Sequence, residues 1–399
     1  MITTAERNDK ICICLEGRID TTNAGQVEKE IFAAIEKSGK PPVFDAEKLE
    51  YISSAGLRVL LKVSKSFKEK IVIENVSESI YDIFDTTGFT ELFDVKAEGV
   101  VNTEKPMREI SIEGKEKIGE TGLNSVYRLD AETVVKVYLP SVSYELFIKK
   151  EQENARQALV AGVPAVIPFD VVKVGDSYGL VYEMQDCRML WDIMVEDKAH
   201  LDDYTVRYAR TVKKVHGIHV NKDKITSSKG LMLMVAKKLS GILQQDERDK
   251  FIRLIENIPE RDTFLLNNCY PTNAILQNDE LLLVNFGLSG YGHPITDVSN
   301  MYMRFCHDPS LRSESERKVI SCFTEDERKQ IWKAFISEYL GTDDKQLLEK
   351  AEEQIRVYSF AVRLFAYIGT PGELPDEAFG KLKTEIMSYI DKGIEPLCF

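Results

Sequence analysis

The segment FLLNNCYPTNAIL, residues 264 to 276, sets a cluster of polar side chains between two apolar stretches. Asn267, Asn268 and Asn273 surround Pro271, and a second polar insertion, Asn285 in LLLVNFG, follows an apolar run. A loop of this layout could set a base and a metal ligand around a phosphoryl group, but carboxamides serve poorly in both roles. A carboxamide takes up no proton at neutral pH and carries N–H donors where a base needs an acceptor. To a hard cation it offers a neutral carbonyl, whereas such ions prefer anionic oxygens.

Other places carry candidate chemistry. In YISSAGLRVLL, Ser53 and Ser54 stand where a strand gives way to a helix. A helix start has free N–H groups and a partial positive charge, so a phosphate on a serine there would be well accommodated. Plain N-capping by serine explains the same residues. In VVKVY, Lys136 is flanked by valines, and a lysine amid apolar residues needs a carboxylate or phosphate partner unless its strand is a wet edge. Upstream, Gly119 and Gly122 flank Glu120 and Thr121 at a turn. Glycines there would let the backbone approach phosphates, although ordinary hairpins use them too. His216 and His219 lie close together with no third ligand evident nearby, so packing or capping accounts for them better than a metal.

The elements that must position these residues follow from periodicity. KICICLEGRI alternates Ile11, Ile13 and Leu15 against Cys12, Cys14 and Glu16, the pattern of a strand. TTNAGQVEKEIFAAIEKSGK puts Val27, Ile31, Ala34 and Ile35 at helical spacing and ends at Gly39. PPVFDAEKL, SSAGLRVLLKVSKSFKEK, IVIENV and ESIYDIFDTTGF continue as strand, helix, strand and short helix, which predicts a small α/β domain. The charged, poorly periodic segment around residues 96 to 108 reads as a linker. ISIEGKEKIGETGLNSVYRLDAETVVKVYLP then predicts strand, glycine turn, strand, turn and strand. YELFIKKEQENARQALVAGVP predicts a helix carrying Glu151 and Glu153, and AVIPFDVVKVGDSYGLVYEMQDCRML two further strands. From about residue 325 the tail is helical, with Pro371, Gly372 and Pro375 turning between its last two helices.

With 399 residues the chain predicts two or three domains. Hydrophobic residues at 43% and charged residues at 29% exclude a disordered or fibrous chain. A formal net charge of -13 leaves no basic surplus to replace released counterions, which argues against nucleic acid as a partner. No apolar run approaches the roughly 18 to 20 residues of a membrane span. MITTAERNDK lacks an apolar signal core, so the expectation is a cytoplasmic protein without a membrane partner. Seven cysteines without paired spacing predict neither a disulfide framework nor a metal site.

LEGRIDTTNA followed by LEYISSAGLRVLL resembles the STAS domain of bacterial anti-sigma-factor antagonists, over about the first 95 residues. The resemblance implies that Ser54 is a phosphorylated switch and that Asp20 of GRID is the acidic residue near it. Ser53, where several relatives carry Asp, is the second candidate, and Ala55 stands where some carry another Ser or Thr. An anti-sigma factor or a serine-kinase-type regulator is the implied partner.

The later motifs, in their order, resemble the protein-kinase-like phosphotransferases of the aminoglycoside and choline kinase type, over roughly residues 108 to 310. Active relatives show HGDxHPxN and then IDFG. Here Leu266, Asn267 and Asn268 stand at HGD, Tyr270 at the second His, and Pro271 and Asn273 at P and N. Val284, Asn285, Phe286 and Gly287 stand at IDFG, and Asp297 matches a structural aspartate. The resemblance implies that Lys136 pairs with a helix glutamate. Glu151 is the choice over Glu153, because the two point about 200° apart and only one can face the sheet. It also implies that Gly119 and Gly122 lie over nucleotide phosphates, and that Glu183 and Met184 form a hinge offering backbone groups to adenine. The expected fold class is an α/β STAS domain, residues 1–97, followed by an α+β protein-kinase-like bilobal domain, residues 108–399. Its small lobe would run over about 108–186 and its helical large lobe over about 187–399.

In such enzymes the loop aspartate acts as base and the aspartate before Phe-Gly holds Mg²⁺. With Asn268 and Asn285 in their places, only Asn273 remains as a weak ligand. The expectation is a pseudokinase that binds ATP or another nucleotide without Mg²⁺, coupled to a partner-switching STAS domain. The Lys136–Glu151 pair could also persist purely to hold the fold. The alternative is an active ATP-dependent small-molecule phosphotransferase with an alcohol acceptor, drawing on Asp279 or Glu280, although these follow Asn278 in what reads as a hairpin turn.

Overall fold

The computed structural model describes residues 2–7, 9–97, 106–184, 187–239, 243–369 and 376–399. Most of the expected linker, and the turn at Pro371, Gly372 and Pro375, lie outside the described residues. The chain divides into two compact units, Met1–Cys187 and Arg188–Phe399.

The first unit contains two sheets. In the first, β1 (Ile2–Arg7), β2 (Lys10–Ile19), β3 (Pro42–Ile52), β4 (Val72–Glu74) and β5 (Asp94–Val95) lie in sequential order. β1 is antiparallel to β2, and the remaining pairs are parallel. Parallel neighbours need crossovers, supplied by α1 (Ala24–Ser38), by α2 (Ser54–Lys65), and by α3 (Glu78–Thr86) with α4 (Phe89–Leu92). Ile11, Ile13 and Leu15 are buried on β2, but so is Cys12 between them, so the centre of the strand is covered on both faces. The sequence reading missed β1. ITTAER is nearly all exposed and shows no apolar alternation, and its place comes from the ladder Ile2↔Leu15 to Arg7↔Lys10.

The second sheet has the order β6-β10-β11-β9-β8-β7. Its strands are β6 (Arg108–Glu109), β7 (Lys117–Glu120), β8 (Asn124–Arg128), β9 (Thr133–Tyr138), β10 (Pro168–Val174) and β11 (Ser177–Glu183). Val135, Val172, Val174 and Val181 form a core on it. A π-helical turn, Tyr144–Ile148, leads into α5 (Lys149–Ala161), whose buried face includes Glu151, Ala155, Ala158 and Leu159. The first strand of the expected hairpin is KIGE, Lys117–Glu120, which runs into the expected glycine turn. Gly119 therefore lies within β7, opposite Val126 across a register shift, and only Gly122 falls between the strands.

β12 (Cys187–Met189) spans the division between units. The second unit is mainly helical: α6 (Leu190–Glu196), α7 (Leu201–Val215), α8 (Ser228–Lys237), α9 (Gln245–Glu256), α10 (Ile295–Cys306), α11 (Glu314–Ile320), α12 (Glu325–Leu340), α13 (Lys345–Gly369) and α14 (Asp376–Lys392). Before α10 lie the antiparallel pairs β13 (Thr263–Leu265) with β16 (Gly290–Gly292), and β14 (Ala274–Gln277) with β15 (Glu280–Leu283). α12 starts on a capping box, in which Glu327 N–H donates to Thr324 Oγ1 and Thr324 N–H to the Glu327 carboxylate. Among the described residues, no helix is long and apolar enough to cross a membrane.

Candidate functional site

Lys136 points from β9 to α5, and its Nζ donates to the two Glu151 carboxylate oxygens at 2.7 and 2.8 Å. Glu151 faces the sheet because it starts the buried stripe of α5, whereas Glu153 turns to Gln157 and Arg156. Two hydroxyls complete the carboxylate's surroundings: Tyr138 Oη donates at 2.5 Å and Tyr182 Oη at 3.0 Å. Burial, reinforced by the Glu151 charge, keeps both phenols protonated. Such a buried ion pair is stable only when its remaining lone pairs find donors. Tyr138, two residues beyond Lys136 on the same strand face, could have been found by alternation. Tyr182 carries no comparable signal.

In the second unit, FLLNNCYPTNAIL is β13, an irregular loop, a 3-10 turn at Pro271–Asn273 and β14. The loop hangs on Asp297 of α10, which is fully buried. Asp297 accepts from the N–H groups of Leu266 at 2.7 Å and Asn267 at 2.6 Å, and lies 3.0 Å from His216 Nε2. His216 lies just past the end of α7, with Nδ1 2.7 Å from Tyr339 Oη. His219 sits beyond the helix beside Asp262 at 2.7 Å, so the two histidines pack separately and do not share a helix face. Asn267 has φ 53°, in the left-handed region that asparagine tolerates better than most side chains. Its amide nitrogen donates to Ser228 Oγ at 2.7 Å and the Leu288 carbonyl at 3.0 Å.

The side chains of Asn273 and Asn285 meet beside the backbone of Asn268. Asn273 Nδ2 donates to the Asn268 backbone carbonyl at 2.8 Å, and Asn285 Nδ2 donates to Asn273 Oδ1 at 3.1 Å. The oxygen of Asn273 that could face a cation thus receives an N–H. Asp279, with Asn278, forms the left-handed turn between β14 and β15, is exposed, and pairs with Arg207.

Ser53 is the N-cap of α2, its Oγ accepting from Gly56 N–H at 3.2 Å, and Ser54 is the first helical residue. Asp20 accepts from the Thr22 hydroxyl at 2.6 Å and backbone N–H at 3.0 Å, which holds its carboxyl below the usual range. Glu183, expected from the sequence at a hinge, ends β11 and comes to this place. Its Oε2 accepts from Ser54 N–H at 2.8 Å, and its Oε1 accepts from the Tyr51 hydroxyl. Burial pushes the Glu183 carboxyl up to about 7, although the Ser54 N–H opposes the shift. Met184 N–H donates to the Glu132 carbonyl at 2.9 Å.

Cys12, Cys14 and Asp45 bring ligand atoms within 4.8 Å of one another. However, burial raises the Cys12 thiol, and Asp45 Oδ1 already accepts from Glu47 N–H and Asn75 Nδ2. A cation site needs thiolates and open oxygens, and this trio fits a packed interior better.

Comparison with known proteins agrees with this architecture. The STAS domain model matches residues 1–104, and the phosphotransferase enzyme family model matches residues 116–330, more than half of the chain. The chain belongs to the phosphotransferase enzyme family and carries an N-terminal STAS domain, followed by a bilobal kinase-like domain. The putative anti-sigma factor antagonist BtrV of Bordetella bronchiseptica is 35% identical over 99 residues, covering 24% of this chain and 85% of the relative. A choline/ethanolamine kinase family protein from Mesorhizobium loti is similar in structure at 13% identity and TM-score 0.44, over 72% of this chain and 90% of its own. A GDP and kanamycin complex of an aminoglycoside phosphotransferase is similar at 12% identity and TM-score 0.45, over 70% of this chain and 95% of its own.

Proposed function

We propose that this chain is a partner-switching regulator rather than a phosphotransferase. Its STAS domain engages an anti-sigma factor or a serine-kinase-type regulator under control of phosphorylation at Ser54. Its kinase-like domain is catalytically impaired and holds ATP or another nucleotide without Mg²⁺. One observation carries this reading: Asn285 closes onto the oxygen of Asn273, and the resemblance implies that Asn268 and Asn285 stand where phosphoryl transfer needs a base and a charged metal ligand. The intact Lys136–Glu151 pair supports retained nucleotide binding. The similarity to an anti-sigma factor antagonist supports the partner class. The competing reading, an active phosphotransferase using Asp279 or Glu280, loses support because Asp279 is engaged with Arg207 in an exposed turn.

Mass spectrometry of the chain isolated from its host tests the regulatory reading. Phosphate on Ser54, with a co-purifying anti-sigma factor or serine-kinase-type protein, is the expected result. An unmodified Ser54 together with absence of such a partner would sink it.

A further inference from the structure

The STAS domain and the small lobe belong to one compact unit, and one of their contacts falls on the residue expected to switch. Glu183, at the end of β11, lays its carboxylate against the N-terminus of α2. This is where the free N–H and positive end of the helix dipole favour an anion. Tyr51 donates to the same carboxylate, and Arg18 stacks 4.2 Å over the Tyr51 ring.

Two contacts of another kind support it. Arg156 of α5 pairs with Glu91 of α4, and Lys65 Nζ donates to the Ala161 carbonyl at 2.9 Å. Each cation lies over a glycine of the other domain: a Cβ on Gly88 would collide with Arg156, and one on Gly162 with Lys65. Both glycines also have positive φ, 81° and 94°, so it is the backbone that calls for glycine at each.

We propose that the resident occupant of the Ser54 face is the small lobe of the same chain, held there by the Glu183 carboxyl, which accepts the Ser54 N–H that a phosphate on Ser54 would claim. A partner protein that needs this face must displace the lobe. A phosphate on Ser54 would compete with Glu183 for the same N–H and repel its carboxylate, so modification frees the face. Only this phosphate arm rests on the reading of Ser54 as the switch; the masking itself does not.

Hydrogen exchange of the full chain, followed by mass spectrometry, tests the proposal. The chains compared are the native protein, Glu183→Ala, Glu183→Gln and a chain carrying phosphoserine at position 54. In Glu183→Ala and the phosphoserine chain, amides at the start of α2 and the end of β11 should exchange at least about ten-fold faster. Glu183→Gln, which keeps an acceptor for Ser54 N–H, should stay within about two-fold of native. Unchanged exchange at both places, in Glu183→Ala and in the phosphoserine chain alike, overturns the masking. If Glu183→Ala unfolds throughout, the phosphoserine chain and a Lys65→Ala, Arg156→Ala double variant decide, and both must show the local acceleration. No readout here involves nucleotide or partner. A chain that turned over ATP would refute the pseudokinase reading and leave this one standing, and failed masking would leave the asparagine argument intact.

Discussion

At the residue scale, the question is whether the Lys136–Glu151 pair serves a ligand or only the fold. The carboxylate is met by one ammonium and two phenols, and Lys136 keeps only 12% of its side-chain surface exposed. Removing one partner of such a pair leaves an uncompensated buried charge, at a cost of about 3 to 5 kcal/mol. Lys136→Met should therefore lower stability by about that amount in urea titration. In thermal-shift titration the native chain should gain stability with millimolar ATP, equally with and without Mg²⁺, and Lys136→Met should not. A native chain indifferent to ATP would leave the pair a purely structural role. The residues of this cluster were partly legible in the sequence. Helix geometry lets only one of Glu151 and Glu153 face the sheet, alternation from Lys136 could have reached Tyr138, and Tyr182 read only as packing.

At the scale of elements, β11 and α2 are tied by one carboxylate whose proton affinity depends on the contact. Glu183 faces the α2 N-terminus, Tyr51 of β3, and Arg18 and Asp20 at the end of β2, with Glu132 just ahead of β9. Its carboxyl is raised from 4.5 to about 7, so the docked state binds a proton that the undocked state releases. The sign follows: docking weakens as pH rises through this window, and above it the cost of the buried charge is fully present. Relative to Glu183→Gln, the native chain should gain up to about 3 kcal/mol as pH falls from about 7.5 to about 5. Thermal melts of both chains across that range check this, and parallel curves would refute it. The sequence reading placed Glu183, with Met184, at a strand end expected to serve as a hinge. It could not place its side chain, because a contact between distant segments leaves no periodic signal. β1 was hidden for a related reason, since its ladder with β2 owes nothing to a buried face of its own.

At the scale of the molecule, the order of motifs made both domains readable, since alternating strands and helices are local properties and the motifs from Lys136 to NFG keep their order along the chain. How the STAS domain meets the small lobe was not readable. Lys65, Glu91 and Arg156 look in sequence like ordinary solvated charges. Under the proposed function the kinase-like domain no longer transfers phosphate. ATP turnover with Mg²⁺ tests it most directly, in the native chain and in the Asn268→Asp, Asn285→Asp double variant. An aspartate at 285 would set a carboxylate against Asn273 Oδ1, two acceptors that a cation would bridge. A restored base is worth about 10² to 10⁴-fold. The account predicts background turnover for the native chain and a rise of at least that order in the double variant. Native turnover equal to that of the double variant would contradict it.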